Sequence, residues 1–270
     1  MMSEVCTIHE TTISAAWSRA LLQMLKPGVT EIAPMIVSVD LDDTTGFDRE
    51  TEIQRWLDKT IVELRRSNPA CKKLQSTGTV SNTIFPNSMW NPNSADGAEK
   101  LFERFERAWP KIKKCHQNRR GSYFQRLTAF RATGDERPIN QLQHIIDTYR
   151  SGNHRRSALQ TTVFDPALDH VNSRQLGFPC LHQVAFSPIG TDELRVTGFY
   201  ASQYIFDRAF GNYLGLCRLG NFMAKQLGLR FTGMTCIASL AQLGTPGKTV
   251  LRSLEAELES ILKATPRTAA

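Results

Sequence analysis

The chain has 270 residues, 41% hydrophobic and 22% charged, with 33 basic against 26 acidic side chains and a formal net charge of +7. That balance excludes a disordered chain. No apolar run approaches the roughly 20 residues that span a bilayer, so no membrane partner is expected.

Residues 11–26 read as a helix, with Ile13, Trp17, Leu21, Met24 and Leu25 on one stripe and Pro27-Gly28 ending it. Met35 to Leu41 is rich in β-branched residues and reads as a strand, followed by a turn at Asp42-Asp43. Residues 50–66 repeat the helical pattern through Ile53, Trp56, Leu57, Ile61 and Leu64, and Asn68-Pro69 stops it. Residues 83–96 are loop-like, and a helix over 97–109 (Leu101, Phe102, Phe105, Trp109) is expected to break at Pro110. A short strand near 122–130, a helix over 139–149 and a strand over 158–164 follow. Next come strands over Cys180–Phe186 and 194–202, joined by a turn at 188–192. A long helix over about 207–227 presents Tyr213, Leu216, Cys217, Gly220 and Met223 on one face. Gly215 and Gly220 there leave room for close backbone packing, at about 1 kcal/mol each relative to alanine. Residues 231–243 are strand-like, and 248–263 form an amphipathic helix through Val250, Leu254, Leu258, Ile261 and Leu262. Strands and helices mix without strict β-α-β alternation, which predicts an α+β fold in a single domain over 1–270.

The six cysteines, at 6, 71, 115, 180, 217 and 236, show no CxxC and no compact Cys/His spacing. This argues against a zinc site and a disulfide framework, and favours a reducing cytoplasm. The N-terminus, Met1-Met2-Ser3-Glu4-Val5, has no basic region before an apolar core, so no signal peptide is expected. The positive balance fits an anionic ligand such as a phosphate, and fits weak nucleic-acid affinity equally well. Its short clusters (Arg65-Arg66, Lys111 to Lys114, Arg119-Arg120, Arg155-Arg156) read mostly as solvated faces, without a nucleic-acid motif.

The segment Phe178-Pro179-Cys180-Leu181-His182-Gln183 carries the most chemistry. Side chains at i and i+2 of a strand share a face, so Cys180 and His182 are expected to point together above the sheet. A nearby imidazole or cation can pull a thiol below its free pKa of about 8.5, which would make Cys180 a nucleophile. The alternative is a buried cysteine packed as a small hydrophobe.

Three segments in order carry a resemblance. They are Arg155-Arg156-Ser157 leading into a strand, Phe178-Pro179-Cys180 about two dozen residues on, and a long helix entered through Gly211-Asn212. With Gly121-Ser122-Tyr123-Phe124 they resemble the thymidylate synthase and pyrimidine hydroxymethylase superfamily, over roughly residues 120–235. The resemblance implies a mixed β-sheet packed against helices, with Cys180 adding to C6 of a pyrimidine so that C5 attacks a one-carbon unit. The implied donor is 5,10-methylene-tetrahydrofolate, and the implied partner is a pyrimidine nucleotide or related small molecule. Asn212 would hold the pyrimidine edge. Arg155 and Arg156 would reach a phosphate across the boundary of a homodimer. Ser202 would bind phosphate, and Tyr123 would lie at the substrate.

The chain departs from that pattern at several positions. The arginine expected before the serine is Ala201, the histidine expected after the cysteine is Leu181, and the folate-contacting aspartate is Tyr204. The sugar-binding His and Tyr after the long helix are missing from Thr232 to Ala238, and the tail expected to close over folate is short. The tyrosine of the Gly-x-x-Tyr pattern aligns with Phe124, leaving Tyr123 as its neighbour. Three readings stay open: a divergent folate-dependent methyl- or hydroxymethyltransferase, an enzyme keeping cysteine addition without folate, and a non-catalytic nucleotide- or nucleic-acid-binding relative or assembly subunit.

Overall fold

The computed structural model describes residues 5–41, 46–131, 137–152, 155–172 and 178–264; the turn expected at Asp42-Asp43 lies outside these. The chain opens with β1 (Cys6–Glu10), α1 (Ile13–Leu25), β2 (Glu31–Ile32) and β3 (Met35–Asp40). Five helices follow: α2 (Glu52–Ser67), α3 (Thr77–Ile84), α4 (Gly97–Ile112), α5 (Tyr123–Thr128) and α6 (Gln141–Arg150). β4 (Gln160–Thr162) and the single turn α7 (Pro166–Asp169) precede the hairpin of β5 (Leu181–Ile189) and β6 (Glu193–Tyr200). Short β7 (Gln203–Tyr204) runs through a π-helical turn, Ile205–Ala209, into α8 (Phe210–Leu227). The chain then forms β8 (Arg230–Ala238), β9 (Ala241–Gln242), α9 (Lys248–Arg252) and α10 (Glu255–Ala264).

Six strands pair in the order β1-β3-β8-β6-β5-β4, and a small sheet β2-β9-β7 lies beside them. β1–β3 and β6–β8 are parallel while the other pairs of the large sheet are antiparallel, so the sheet is mixed. Strand alternation decides what each face meets. Met35, Val37 and Val39 of β3, Val196 and Tyr200 of β6, and Met234, Cys236 and Ala238 of β8 are buried. α1 packs on this face at β1 and β3, and α8 packs on it at β6 and β8. The intervening residues, Ile36, Ser38, Arg195, Thr197, Phe199, Thr235 and Ile237, retain solvent exposure. The fold is α+β, a mixed sheet against helices. Among the described residues no helix is long and apolar enough to cross a membrane.

α8 is buried almost all round because glycine lets its neighbours approach. A Cβ on Gly211 would stand 2.7 Å from Val80 Cγ1 and 2.8 Å from the Thr77 carbonyl, so α3 lies directly on α8. On the opposite side a Cβ on Gly220 would meet the Phe231 ring.

Several elements differ from the sequence expectation. Residues 123–128 are helix, not strand: Ser122 caps the turn by accepting from the Gln125 amide at 3.2 Å, which outweighs the β-forming Tyr123 and Phe124. α4 continues through Pro110, because the carbonyl that a proline leaves unpaired belongs to exposed Glu106 and can be hydrated. The expected final helix divides into α9 and α10, and the strand expected over 231–243 divides into β8 and β9. β1 and α3 were not expected from sequence, being short or polar segments without strong periodicity.

Candidate active site around Cys180

Cys180 lies immediately before β5, and its carbonyl accepts the Ala201 amide at 3.1 Å. A buried ion pair braces the turn that carries it. Arg126 donates to both Asp169 oxygens at 2.7 and 2.9 Å and to the Val163 carbonyl at 2.9 Å. The same guanidinium stands over the Phe178 ring, 5.0 Å from its centroid, and Phe178 packs against Tyr123 at 5.3 Å. α5, α7 and β5 are thereby fixed against one another at Phe178-Pro179-Cys180.

Polar groups converge on the thiol. The Tyr123 oxygen faces the backbone amides of Cys180 and Leu181, and burial pushes its pKa up. Tyr200, 0% exposed, lies near Cys180, Tyr123, Tyr213 and Cys236, and its hydroxyl has no hydrogen-bond partner among the described residues. Burial likewise holds its proton on. Behind it, Gln203 donates to Cys236 Sγ at 3.4 Å and accepts from the Tyr213 hydroxyl at 3.4 Å. Burial raises the Cys180 pKa above its ordinary value, and the Arg208 guanidinium offsets only part of that rise.

Asn212 is 4% exposed on the first turn of α8, and no described group hydrogen-bonds its side-chain amide. It occupies the stripe of Leu216, whose methyl groups lie against Gly198 and Leu181. Asn212 lies one turn N-terminal to that contact on the same stripe. Around the thiol stand two buried phenols and a guanidinium, with the Asn212 amide on the adjoining helix stripe. Buried polar groups without protein partners are uncommon and call for an explanation such as a ligand.

The expected residues divide. Cys180, Tyr123 and Ser202 fall in this region, and Asn212 lies on the stripe of α8 that includes Leu216: Ser202 follows Ala201, is half-buried, and keeps its hydroxyl free of described partners. His182 does not point with the thiol. Cys180 precedes the strand, and the register shifts between Leu181 and Gln183, so the i, i+2 rule fails there. Its imidazole stacks on Phe164 at 4.6 Å and meets the edge of Phe199 at 6.2 Å, in a separate cleft with Gln141, Gln160 and Gln183. Burial lowers its pKa. A catalytic role beside Cys180 is withdrawn for His182.

Arg155 and Arg156 are exposed at the turn before β4, and neither side chain pairs with a described group. Tyr123, rather than Phe124, is the aromatic residue at the thiol; Phe124 is buried among Phe85, Phe102 and Phe105. Sequence reasoning missed Arg208, Tyr200 and Asp207. None of the three carries a motif.

Comparison with protein-family models and with curated proteins found no match to this chain.

Proposed function

We propose that the protein is a thymidylate synthase-like transferase in which Cys180 adds to C6 of a pyrimidine nucleotide or related heteroaromatic ring, activating C5 towards a one-carbon electrophile. The observation that carries this reading is the placing of the Tyr123 and Tyr200 phenols and the Arg208 cation around one thiol. Tyr200 and Asn212 supply a hydroxyl and an amide of the kind that holds ring carbonyl and N–H edges, next to a cysteine flanked by a cation. Attack requires the thiolate; burial opposes it, Arg208 offsets part of that cost, and a bound ligand must supply the rest.

The residues present do not fit 5,10-methylene-tetrahydrofolate as the resemblance would seat it. Tyr204 stands at the aspartate position and is 46% exposed. Asp207, a nearby acid, accepts the Thr245 amide at 2.7 Å and packs against Gly244. No step is therefore routed through folate, and the proposal ends at the C5-activated adduct. The same observation favours the second reading, cysteine addition without folate.

Deuterium exchange at C5 of a pyrimidine nucleotide in D2O, followed by proton NMR, tests the addition. Wild type is expected to exchange, and Cys180→Ser to lose exchange while keeping nucleotide affinity within about threefold. Exchange at the wild-type rate in Cys180→Ser would sink the proposal.

We also propose a homodimer through the helix-free face of the large sheet. The exposed Phe199 and half-exposed Ile237 lie there. Arg155 and Arg156, without partners among the described residues, would be available to a second copy. A cytoplasmic location belongs with this reading.

A further inference from the structure

A cleft of about 520 Å³ opens at the β4 margin of the large sheet, a size within the range of small-molecule sites. Neither Cys180 nor Tyr123 and Tyr200 line this space, so it is distinct from the site already described. One wall is aromatic. The His182 ring stacks on Phe164 with centroids 4.6 Å apart and meets the edge of Phe199 at 6.2 Å. The Pro179 carbonyl accepts from one nitrogen of that ring, and burial keeps the ring neutral by holding its pKa below the ordinary 6.5. Its other nitrogen is therefore an acceptor.

The rest of the lining is amide and hydroxyl, and most of it is already engaged. Gln141 Oε1 accepts the Thr162 amide at 2.8 Å, and its Nε2 donates to the Thr162 carbonyl at 2.9 Å. Gln160 Nε2 donates to the Ser157 carbonyl at 2.8 Å, and its Oε1 accepts from Gln183 Nε2. The Thr162 hydroxyl donates to the Phe164 carbonyl at 2.9 Å. Exposed Gln183 keeps its carbonyl oxygen and a second N–H free of described partners, an acceptor and a donor side by side.

These commitments restrict what can dock. Gln141 takes both backbone groups of Thr162, so a peptide strand cannot extend the sheet there. No lining residue carries a charge at neutral pH, in a chain of net charge +7. A phosphate or carboxylate would thus lose water with no cation to receive it. A hydrocarbon would leave the Gln183 amide unpaired.

We propose that this cleft binds a neutral heteroaromatic ring bearing an amide N–H beside a carbonyl, as in a lactam or a carboxamide. The ring lies against His182 and Phe199, and its amide pairs with the Gln183 side chain. The proposal does not depend on the chemistry at Cys180. The cleft is at the margin of the face proposed to pair two copies, so contact between copies is the competing occupant.

Proton NMR of the His182 ring tests it, with the signal assigned by its loss in His182→Gln. The probes are nicotinamide and uracil, with nicotinate as the charged isostere of nicotinamide and 3-methylpyridine as its amide-free counterpart. In wild type, nicotinamide and uracil are expected to shift the signal at about tenfold lower concentration than the other two. Cys180→Ser leaves these shifts unchanged. Gln183→Leu, shown by its thermal melt to fold, removes the advantage of the amide. Nicotinate acting as well as nicotinamide overturns the inference, as does an amide preference that persists in folded Gln183→Leu. A shift that disappears in Cys180→Ser belongs to the Cys180 site and also overturns it. A signal that moves with protein concentration but with no probe assigns the cleft to contact between copies, with the same result. A signal that nothing moves overturns it too.

Discussion

Burial lifts the Asp207 carboxyl from its ordinary 3.8 to about 6, against the lowering effects of the Thr245 amide and Arg208. Between those values the native state holds a proton that the unfolded chain has released, so the Asp207 contribution to stability falls as pH rises through that window. It is fully present below the unfolded value and lost above about pH 6, amounting to at most about 3 kcal/mol. Asp207→Asn keeps an acceptor for Thr245 without the charge. It is expected to be more stable than wild type in urea at pH 7.5 and nearly equal at pH 4; an equal gain at both pH values would contradict the assignment. The Arg126–Asp169 pair behaves oppositely, because removing one partner strands a buried charge. Asp169→Ala should cost about 3–5 kcal/mol in urea unfolding. A loss below about 1 kcal/mol would mean that the pair does not brace the Cys180 turn. At this scale the Pro-Cys setting singles out Cys180 in the sequence, whereas the direction of His182 is not legible there because a register shift is invisible to i, i+2 counting. Arg208 and Tyr200 were not legible because their meaning lies in what surrounds them.

At the scale of elements, long periodic segments were readable and short capped ones were not. α1, α2 and α8 follow their apolar stripes to within a few residues of expectation. α5 did not, since one capping serine decides a six-residue segment rich in β-formers. That error matters for function: as a strand, residues 123 and 124 would face opposite ways, whereas the helix aims Tyr123 at Cys180 and buries Phe124. α3 escaped notice because its packing partner is the glycine face of α8, a match that only the fold reveals. Gly211→Val would force that contact apart, and over-packing of this kind typically costs about 1–3 kcal/mol. The expected result is a lowered urea midpoint together with faster alkylation of Cys180, as the first turn of α8 shifts. Unchanged midpoint and alkylation would show that α3 and α8 tolerate separation.

At the scale of the whole molecule, α+β mixing predicted the class of fold, but not the order β1-β3-β8-β6-β5-β4, which depends on pairings distant in sequence. Among the described residues α1 and α8 pack on one face of the large sheet, and the other carries Phe199 and Ile237 among polar neighbours. If that face pairs two copies, wild type sediments as a dimer at micromolar concentration and Phe199→Glu as a monomer; a monomeric wild type would refute it. The central claim is that Cys180 attacks a pyrimidine ring, and intact-protein mass spectrometry with 5-fluoropyrimidine nucleotides tests it most directly. The account predicts a mass gain equal to the nucleotide in wild type and none in Cys180→Ser. An adduct that persists in Cys180→Ser, or no adduct in wild type with any nucleotide of the panel, would contradict it.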